Sequence, residues 1–371
     1  MKRGIRTYTT LRAALIAVGV CAAVLALLSL GGLFPAAALV LCTASFAPAC
    51  LMVVFFTAGL VPACTCLLLI LASVFWRAGG MAAALAALYL AAGLGTCVVC
   101  VFRRVSFFPA AGLTAAAMTA AVMVIYLLLQ ARTHGDLYGA AGGYAALTFS
   151  RFSYRDELLY SLVNMGFLQL PSSMLDTAIV AVEGGYALSE EAVNELLLQV
   201  RSVSSQLLES LVPSLMISGS LTGSVTGLGF GIHFGRRAAQ RRAFSTDTPQ
   251  QDIPDLGMPP LKEWHLPRPW GLRIGLMALG YPLVRMGTGS LYMLGTIMWQ
   301  VFAFCFGLQG LATLNYAQHR RGSGRIVRGS VIALALVLQF LQMVLIVIGI
   351  VDQVSNTRGL RPPLQPKQKE E

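Results

Sequence analysis

Charge is scarce in this sequence. Charged residues make up only 12% of its 371 residues, whereas hydrophobic residues make up 56%. Soluble domains contain about 25% charged residues, so about half of the expected charge is missing. A soluble protein of this length could not hide so much apolar surface from water. The composition therefore predicts a polytopic membrane protein whose main solvent is the lipid bilayer.

Acidic residues are absent from the beginning of the chain, since none occurs before Asp136. A proton-coupled pump usually keeps a carboxylate inside its membrane spans, and this part of the chain supplies none. The net charge is nevertheless +11, because arginines and lysines lie at the ends of apolar runs, as the positive-inside rule requires. Membrane topology, rather than a nucleic-acid partner, accounts for this charge.

Catalytic and metal-binding patterns are absent as well. The four histidines lack metal-ligand spacing, and no G-x-S-x-G, H-E-x-x-H or Walker-type lysine pattern occurs. All eight cysteines lie in apolar runs, although Cys97 and Cys100 have CxxC spacing. Zinc and redox sites need a polar or electropositive setting. We therefore expect no enzyme activity, no cofactor and no metal site, and any ATPase would be a separate subunit.

Apolar runs of about 20 residues, the length that crosses a bilayer, recur along the chain. They predict an all-α fold, a polytopic transmembrane helix bundle of about eight to nine spans. Residues 1–130 form an N-terminal bundle of about five spans, beginning at residues 11–30, with the amino terminus cytoplasmic. Residues 33–75 are long enough for two spans separated near Pro48, and a re-entrant segment is the alternative.

Residues 131–209 are different in character, with nine acidic residues against four arginines. An acidic segment between spans belongs outside, so we predict an extracytoplasmic, acidic helical insert. Ser189, followed by two glutamates, predicts the start of a helix that enters the membrane and bends at Pro213. Residues Ser172 to Glu183 are predicted to form a shorter amphipathic helix.

Residues 210–351 are predicted to form a C-terminal bundle of about four spans. This bundle contains a proline-rich cytoplasmic loop at residues 236–270, in which Trp264 and Trp270 suit a role as interface anchors. The last span is expected at residues 329–351. Residues 352–371 are expected to be a disordered tail on the outer side.

Glycine occurs at every fourth position along one predicted span. Residues four apart share one face of a helix, and in lipid such small residues let two backbones approach closely. We therefore predict a helix-packing face, with a sliding or substrate-facing helix as the alternative. The residues are Gly219, Gly223, Gly227, Gly231 and Gly235.

Uncharged amides lie within the later predicted spans. In lipid such side chains normally hydrogen-bond to a neighbouring helix, and the alternative is that they line a cavity for a neutral or weakly charged ligand. The residues are Gln300, Gln309, Asn315, Gln339 and Gln342.

Several landmarks carry a family resemblance. The external helix ends with Leu211-Val212-Pro213-Ser214, and a glycine- and serine-rich span, the motif Trp264-His265-Leu266-Pro267 and the segment Leu308–Ala312 follow. This order is similar to the YybS-like family of bacterial multi-pass membrane proteins, a domain of unknown function. The N-terminal bundle distantly resembles the substrate-binding components of energy-coupling-factor transporters. The resemblance implies a protein of the bacterial inner (plasma) membrane without an assigned biochemical role.

Two functions fit these features. The first is a transport-related protein, such as a substrate-binding component with a separate energising partner. It predicts a pocket of at least about 300 Å³ that opens beneath residues 131–209. The alternative is a non-catalytic scaffold or interaction protein whose glycine groove binds a helix of a partner membrane protein. Neither the small-molecule ligand nor the protein partner follows from the sequence.

Overall fold

The computed structural model of this chain describes residues 46–174, 177–182, 185–243, 256–266, 270–287, 289–337 and 339–360. The predicted first span, residues 11–30, lies outside them. An antiparallel hairpin joins β1 (Ile179–Val182) to β2 (Gly185–Leu188); otherwise the described elements are helical, which confirms the all-α prediction for this part of the chain. The α-helices are α1 (Ala47–Ala58), α2 (Leu60–Phe102), α3 (Phe107–Arg132), α4 (Leu137–Ser150), α5 (Arg155–Asn164), α6 (Glu190–Ala243), α7 (Trp270–Met286), α8 (Gly289–Arg320), α9 (Arg325–Val337) and α10 (Gln339–Ser355).

Four helical segments among the described residues are long and apolar enough to cross a membrane. Three shorter apolar helices accompany them: Ala47–Ala58, Leu60–Trp76 and Phe340–Ser355. The predicted total of about eight to nine spans remains a prediction. The four long segments are Ala78–Phe102, Phe107–Arg132, Glu190–Arg237 and Leu291–Arg320.

Glycines with positive φ interrupt the helices in the first part of the described chain. Pro48 lies in the first turn of α1, where a missing N–H costs no hydrogen bond. Gly59 has a φ of 102° and Gly79 a φ of 82°, a region that residues with a Cβ rarely adopt. The predicted break near Pro48 is therefore the start of a helix, and the further breaks fall at these two glycines.

The chain divides into two compact units, one of residues 1–122 with 214–371 and one of residues 123–213. In the second unit, the Asp136 carboxylate accepts a hydrogen bond of 3.0 Å from Gly139 N–H and caps α4. The core of this unit consists of buried aliphatic residues, namely Leu159, Leu168, Val193, Leu196 and Val200.

The predicted helix at Ser172 to Glu183 is wrong. A 3₁₀ turn occupies Ser172–Met174, and Ile179–Val182 forms β1. Isoleucine and valine are branched at Cβ and favour strands, and β2 lies close enough in sequence to pair with them. The insert is therefore partly a hairpin, and its external location remains a prediction.

The predicted helix start at Ser189 is confirmed. Ala192 N–H donates a 3.3 Å hydrogen bond to Ser189 Oγ, and Glu190 and Glu191 occupy the first turn of α6. The helix then continues through Pro213 to Ala243.

The predicted last span at residues 329–351 overlaps α9 and α10. Residue 338, which lies between these two elements, is outside the described residues. The single span at residues 329–351 therefore remains a prediction.

The helix α10 exposes apolar side chains and buries polar ones, which is the opposite of an amphipathic helix in a soluble protein. Its exposed side includes Phe340, Val347 and Val351, with 77%, 59% and 52% exposure, whereas Asp352 and Gln353 are buried. In water this arrangement would expose apolar surface and bury charge at the same time, and both are unfavourable. A lipid environment removes the first cost, so the packing agrees with the composition.

Candidate functional site

A cavity of about 600 Å³ lies within the larger unit. Its wall comes from the start of α3, the segment before α7, the last turn of α8 and the residues after α10. The lining residues are Phe108, Pro259, Lys262, Glu263, His265, Tyr316, His319, Arg320 and Leu360.

The cavity wall is rich in cations and in imidazoles. Lys262 and Arg320 carry positive charge, and Glu263 is the carboxylate among the lining residues. These two positive side chains are at least partly exposed. The positive charges in the wall thus outnumber the negative one.

Hydrogen bonds define where the two imidazoles carry their protons. Arg328 Nη1 lies 2.7 Å from His319 Nδ1, and because a guanidinium can only donate, the imidazole proton of His319 resides on Nε2. His265 Nδ1 lies 3.1 Å from the Glu263 carbonyl oxygen. That oxygen can only accept, so His265 donates through Nδ1.

Trp264 contacts two residues of the cavity wall, Phe108 and Pro259. Its ring centroid lies 5.2 Å from that of Phe107 and 5.6 Å from that of Phe108, and its indole N–H donates to the Pro259 carbonyl at 2.9 Å. The side chain is only 8% exposed. Protein groups therefore contact both its ring and its N–H, and its role as an interface anchor remains a prediction. Trp270 begins α7.

A buried ion pair joins the end of the chain to this segment. The Arg358 guanidinium and the Asp352 carboxylate lie 2.9 Å apart, with 2% and 4% of their side chains exposed. Arg358 also donates to the carbonyl oxygens of Lys262, at 2.8 Å, and Trp264, at 2.7 Å. These bonds fix the backbone that carries Lys262 and His265.

Two amides complete the same network. Gln309 Nε2 donates to Asp352 Oδ2 at 2.5 Å, and Gln309 Oε1 accepts from Leu266 N–H at 2.9 Å. Gln353 Nε2 donates to the Leu266 carbonyl at 3.1 Å. Both backbone polar groups of Leu266 are thus satisfied by side chains, in a segment without a strand or helix partner.

The Asp352 carboxylate is ionised at neutral pH in this setting. Burial raises its pKa, but hydrogen bonds from Arg358, Thr357 and Gln309, together with the charge of Arg358, hold its pKa below the ordinary value. Such a carboxylate is a poor proton carrier near pH 7, because it is already deprotonated. The network is better suited to fixing structure than to relaying protons.

The amides predicted from sequence are dispersed rather than gathered around one ligand. Gln309 belongs to the buried network, and Gln300 donates to Ser214 Oγ on α6. Asn315 is partly buried, Gln342 is exposed, and Gln339 begins α10. None of the five lines the cavity. Their role in lining a ligand site therefore remains a prediction, and it does not concern this cavity.

The five glycines of the α6 face are all buried. A methyl group at Gly227 would lie 2.9 Å from Ala49 Cα of α1, and one at Gly235 would lie 3.0 Å from the Phe56 carbonyl oxygen. Part of the groove is therefore filled by α1 of the same chain. This observation weakens the scaffold alternative, in which a partner helix fills the groove.

Replacing Gly227 by alanine is expected to lower the free energy of unfolding by about 1–3 kcal/mol, the usual cost of overpacking. The clash with the α1 backbone should outweigh alanine's helix propensity, which favours it by about 1 kcal/mol. Thermal unfolding in a mild detergent measures the effect.

Gly229 provides the matched control for this substitution. It lies two residues away on α6, and a methyl group there would meet only Met258, at 4.0 Å. Gly229→Ala should therefore be neutral or stabilising. Equal effects of the two substitutions would contradict a packing role for the glycine face.

Residues 358–360 and the segment before α7 lie together, although the sequence predicts them on opposite sides of the membrane. Arg358 contacts the Lys262 carbonyl, and both Arg320 and Leu360 line the cavity. Segments in contact cannot be separated by a hydrocarbon layer of about 30 Å. The cytoplasmic location of the loop at residues 236–270 and the outer location of the tail therefore cannot both hold for these contacting residues, and the side on which they lie remains a prediction.

The predicted disordered tail from residue 352 does not hold for residues 352–360. Residues 352–355 are the last turn of α10, and Arg358 is buried. One sequence signal could have identified this: Asp352 and Arg358 are oppositely charged residues six apart at the end of an apolar run. No residue that lines this cavity comes from residues 131–209.

Comparison with known proteins gives one family match. A family model described as a predicted membrane protein (DUF2232) matches residues 20–353. No curated protein and no solved structure matches the chain. The match supports the prediction of a membrane protein, whereas the YybS-like name and the likeness to energy-coupling-factor transporters remain predictions.

Proposed function

We propose, from the premise that this chain belongs to the DUF2232 family of predicted membrane proteins, that it is a transport-related protein that binds a small anionic molecule. The cavity with Lys262 and Arg320 in its wall is the observation that carries this proposal. A cytoplasmic amino terminus, an external insert and a location in the bacterial cell membrane belong to the same proposal. The loop at residues 236–270 then places the cavity on the cytoplasmic side.

The size of the cavity suits a small molecule. Ligand sites in proteins typically have volumes of about 300–1,000 Å³, and this cavity has about 600 Å³. Phe108 and Tyr316 provide apolar surface, and the charged and imidazole side chains provide polar contacts. A mainly apolar wall with a few polar groups that fix orientation is typical of binding sites.

The charge of the wall favours an anion over the neutral or weakly charged ligand considered from the sequence. Lys262 and Arg320 can donate charge-assisted hydrogen bonds, which are shorter and stronger than neutral ones. The negative charge of Glu263 would repel an anion, but the wall also carries two positive charges. Because these groups are partly exposed, salt should weaken the attraction.

The buried network supports a preformed site. Lys262 and His265 belong to the segment whose carbonyls Arg358 holds. A site whose backbone is fixed before binding loses less entropy when the ligand arrives. For a transport cycle, the energy source would be a separate partner, because the sequence contains no nucleotide-binding motif.

Binding of inorganic pyrophosphate to the purified full chain in neutral detergent tests the proposal. We expect measurable binding by titration calorimetry, and Lys262→Gln or Arg320→Gln should each weaken it about tenfold, the worth of one charge-assisted hydrogen bond. Raising the salt concentration should weaken binding further.

Arg321→Gln is the matched control, because Arg321 is adjacent in sequence, exposed and absent from the cavity wall. It should leave pyrophosphate affinity unchanged. Absence of binding of pyrophosphate and of every other anionic probe by the folded wild-type chain, or equal pyrophosphate affinity in all three variants and the wild type, would contradict the proposed function.

A further inference from the structure

We infer that the anionic group bound in this cavity is the phosphate-bearing headgroup of a membrane lipid. This inference rests on the proposed function and specifies its ligand. Three observations support it. The cavity lies where candidate spans end, its wall has both charged and apolar surface, and exposed apolar residues lie beside it.

The cavity lies where two candidate spans end. Phe108 is the second residue of the span Phe107–Arg132, and Tyr316 and Arg320 lie in the last turns of the span Leu291–Arg320. The ends of spans lie at the boundary between hydrocarbon and headgroups. A site at this level faces lipid phosphates before it faces bulk water.

The wall of the cavity has the two kinds of surface that an amphiphile needs. Lys262 and Arg320 offer donors to phosphate oxygens, and His319 offers its Nε2–H, since its Nδ1 accepts from Arg328. Phe108 and Leu360 provide apolar surface. A soluble inorganic anion would use only the donors, whereas a phospholipid can use both.

Apolar side chains are exposed directly beside the site. Ile326 and Val327 are 84% and 56% exposed, and they immediately precede Arg328, which contacts His319. Large exposed apolar residues next to a basic turn are typical of segments that lie in the membrane interface. Acyl chains can therefore lie close to the cavity while the headgroup enters it.

Basic pockets between membrane helices on the cytoplasmic side are known to suit anionic headgroups. Each lysine or arginine near such a headgroup strengthens binding by about fivefold. The two cations of this cavity together should therefore give a preference of about 25-fold for an anionic over a zwitterionic lipid.

Native mass spectrometry of the full chain in neutral detergent tests the inference with three probes. They are dioctanoyl phosphatidylglycerol, dioctanoyl phosphatidylcholine and glycerol 3-phosphate. We expect phosphatidylglycerol to bind at least about tenfold more tightly than either other probe. Lys262→Gln and Arg320→Gln should each weaken this binding about fivefold, and Arg321→Gln should not.

The outcomes separate the inference from the proposed function. If pyrophosphate and glycerol 3-phosphate bind and phosphatidylglycerol shows no advantage over phosphatidylcholine, the ligand is a soluble anion and only the inference fails. If no anionic probe binds to the folded chain, both fail. Equal phosphatidylglycerol affinity in the cavity variants and the wild type would also overturn the inference, because binding would then lie elsewhere.

Discussion

Arg358→Ala is expected to lower the free energy of unfolding by about 3–5 kcal/mol, the cost of removing one member of a buried ion pair. The substitution leaves the Asp352 carboxylate buried, with 3% of the residue exposed, and deprives the carbonyls of Lys262 and Trp264 of their donor. Thermal unfolding of the purified chain in detergent, followed by tryptophan fluorescence, measures the loss.

A double substitution tests whether the pair is the cause. Asp352→Ala combined with Arg358→Ala should destabilise by less than the sum of the single changes, because no unpaired charge remains. Arg321→Ala removes an exposed arginine from a nearby turn and should have an effect within about 0.5 kcal/mol. Additive single effects would show that the two side chains act independently.

Arg358→Ala should also weaken ligand binding. Arg358 does not line the cavity, but it holds the backbone of Lys262, and the residue two positions after it, Leu360, is part of the wall. We therefore expect Arg358→Ala to weaken pyrophosphate binding at a temperature where the variant is still folded. Arg358→Lys keeps the positive charge but lacks the several N–H donors of a guanidinium. It should therefore retain only part of the wild-type affinity for pyrophosphate.

Local patterns in the sequence could predict much of the fold, because local chemistry determines those features. The serine and glutamates at residues 189–191 predict a helix start, and Ala192 N–H does donate to Ser189 Oγ. The N-terminal bundle is predicted to end at residue 130, and the candidate span Phe107–Arg132 ends close to that boundary. Hydrophobicity and capping each depend on a few neighbouring residues.

The candidate site could not be predicted in this way, because its members are distant in sequence. Gln309 and Asp352 are 43 residues apart, and Arg358 and Lys262 are 96 residues apart. The basic residues of the cavity were explained by topology, which places positive charge at span ends whether or not those ends form a site. Only the tertiary contacts show which of these charges share one cavity.

The packing of α10 against α8 could not be predicted from local patterns either. The segment from 329 to 351 is apolar throughout and long enough to cross, so length and composition predict a span but not the helix that it contacts. Two glycines, Gly310 and Gly349, lie where α8 and α10 cross and permit this packing.

Gly310→Ala is expected to lower the free energy of unfolding by about 3 kcal/mol, at the upper end of the usual cost of overpacking. A methyl group there would overlap the Leu345 carbonyl oxygen, and one at Gly349 would overlap the Phe306 carbonyl oxygen. These obstacles are backbone atoms, so a change of side-chain rotamer cannot relieve them and the helices must separate.

Gly307→Ala is the matched control on the same helix, because a methyl group there would meet Ile346 Cγ1 at an ordinary 3.9 Å. It should be neutral or slightly stabilising in the same thermal unfolding measurement. Because Asp352 follows Gly349 by one helical turn, separation of α8 from α10 should also break the hydrogen bond between Gln309 and Asp352. Gly310→Ala should therefore reduce the additional effect of Arg358→Ala, and fully additive losses would show that the crossing and the ion pair are independent.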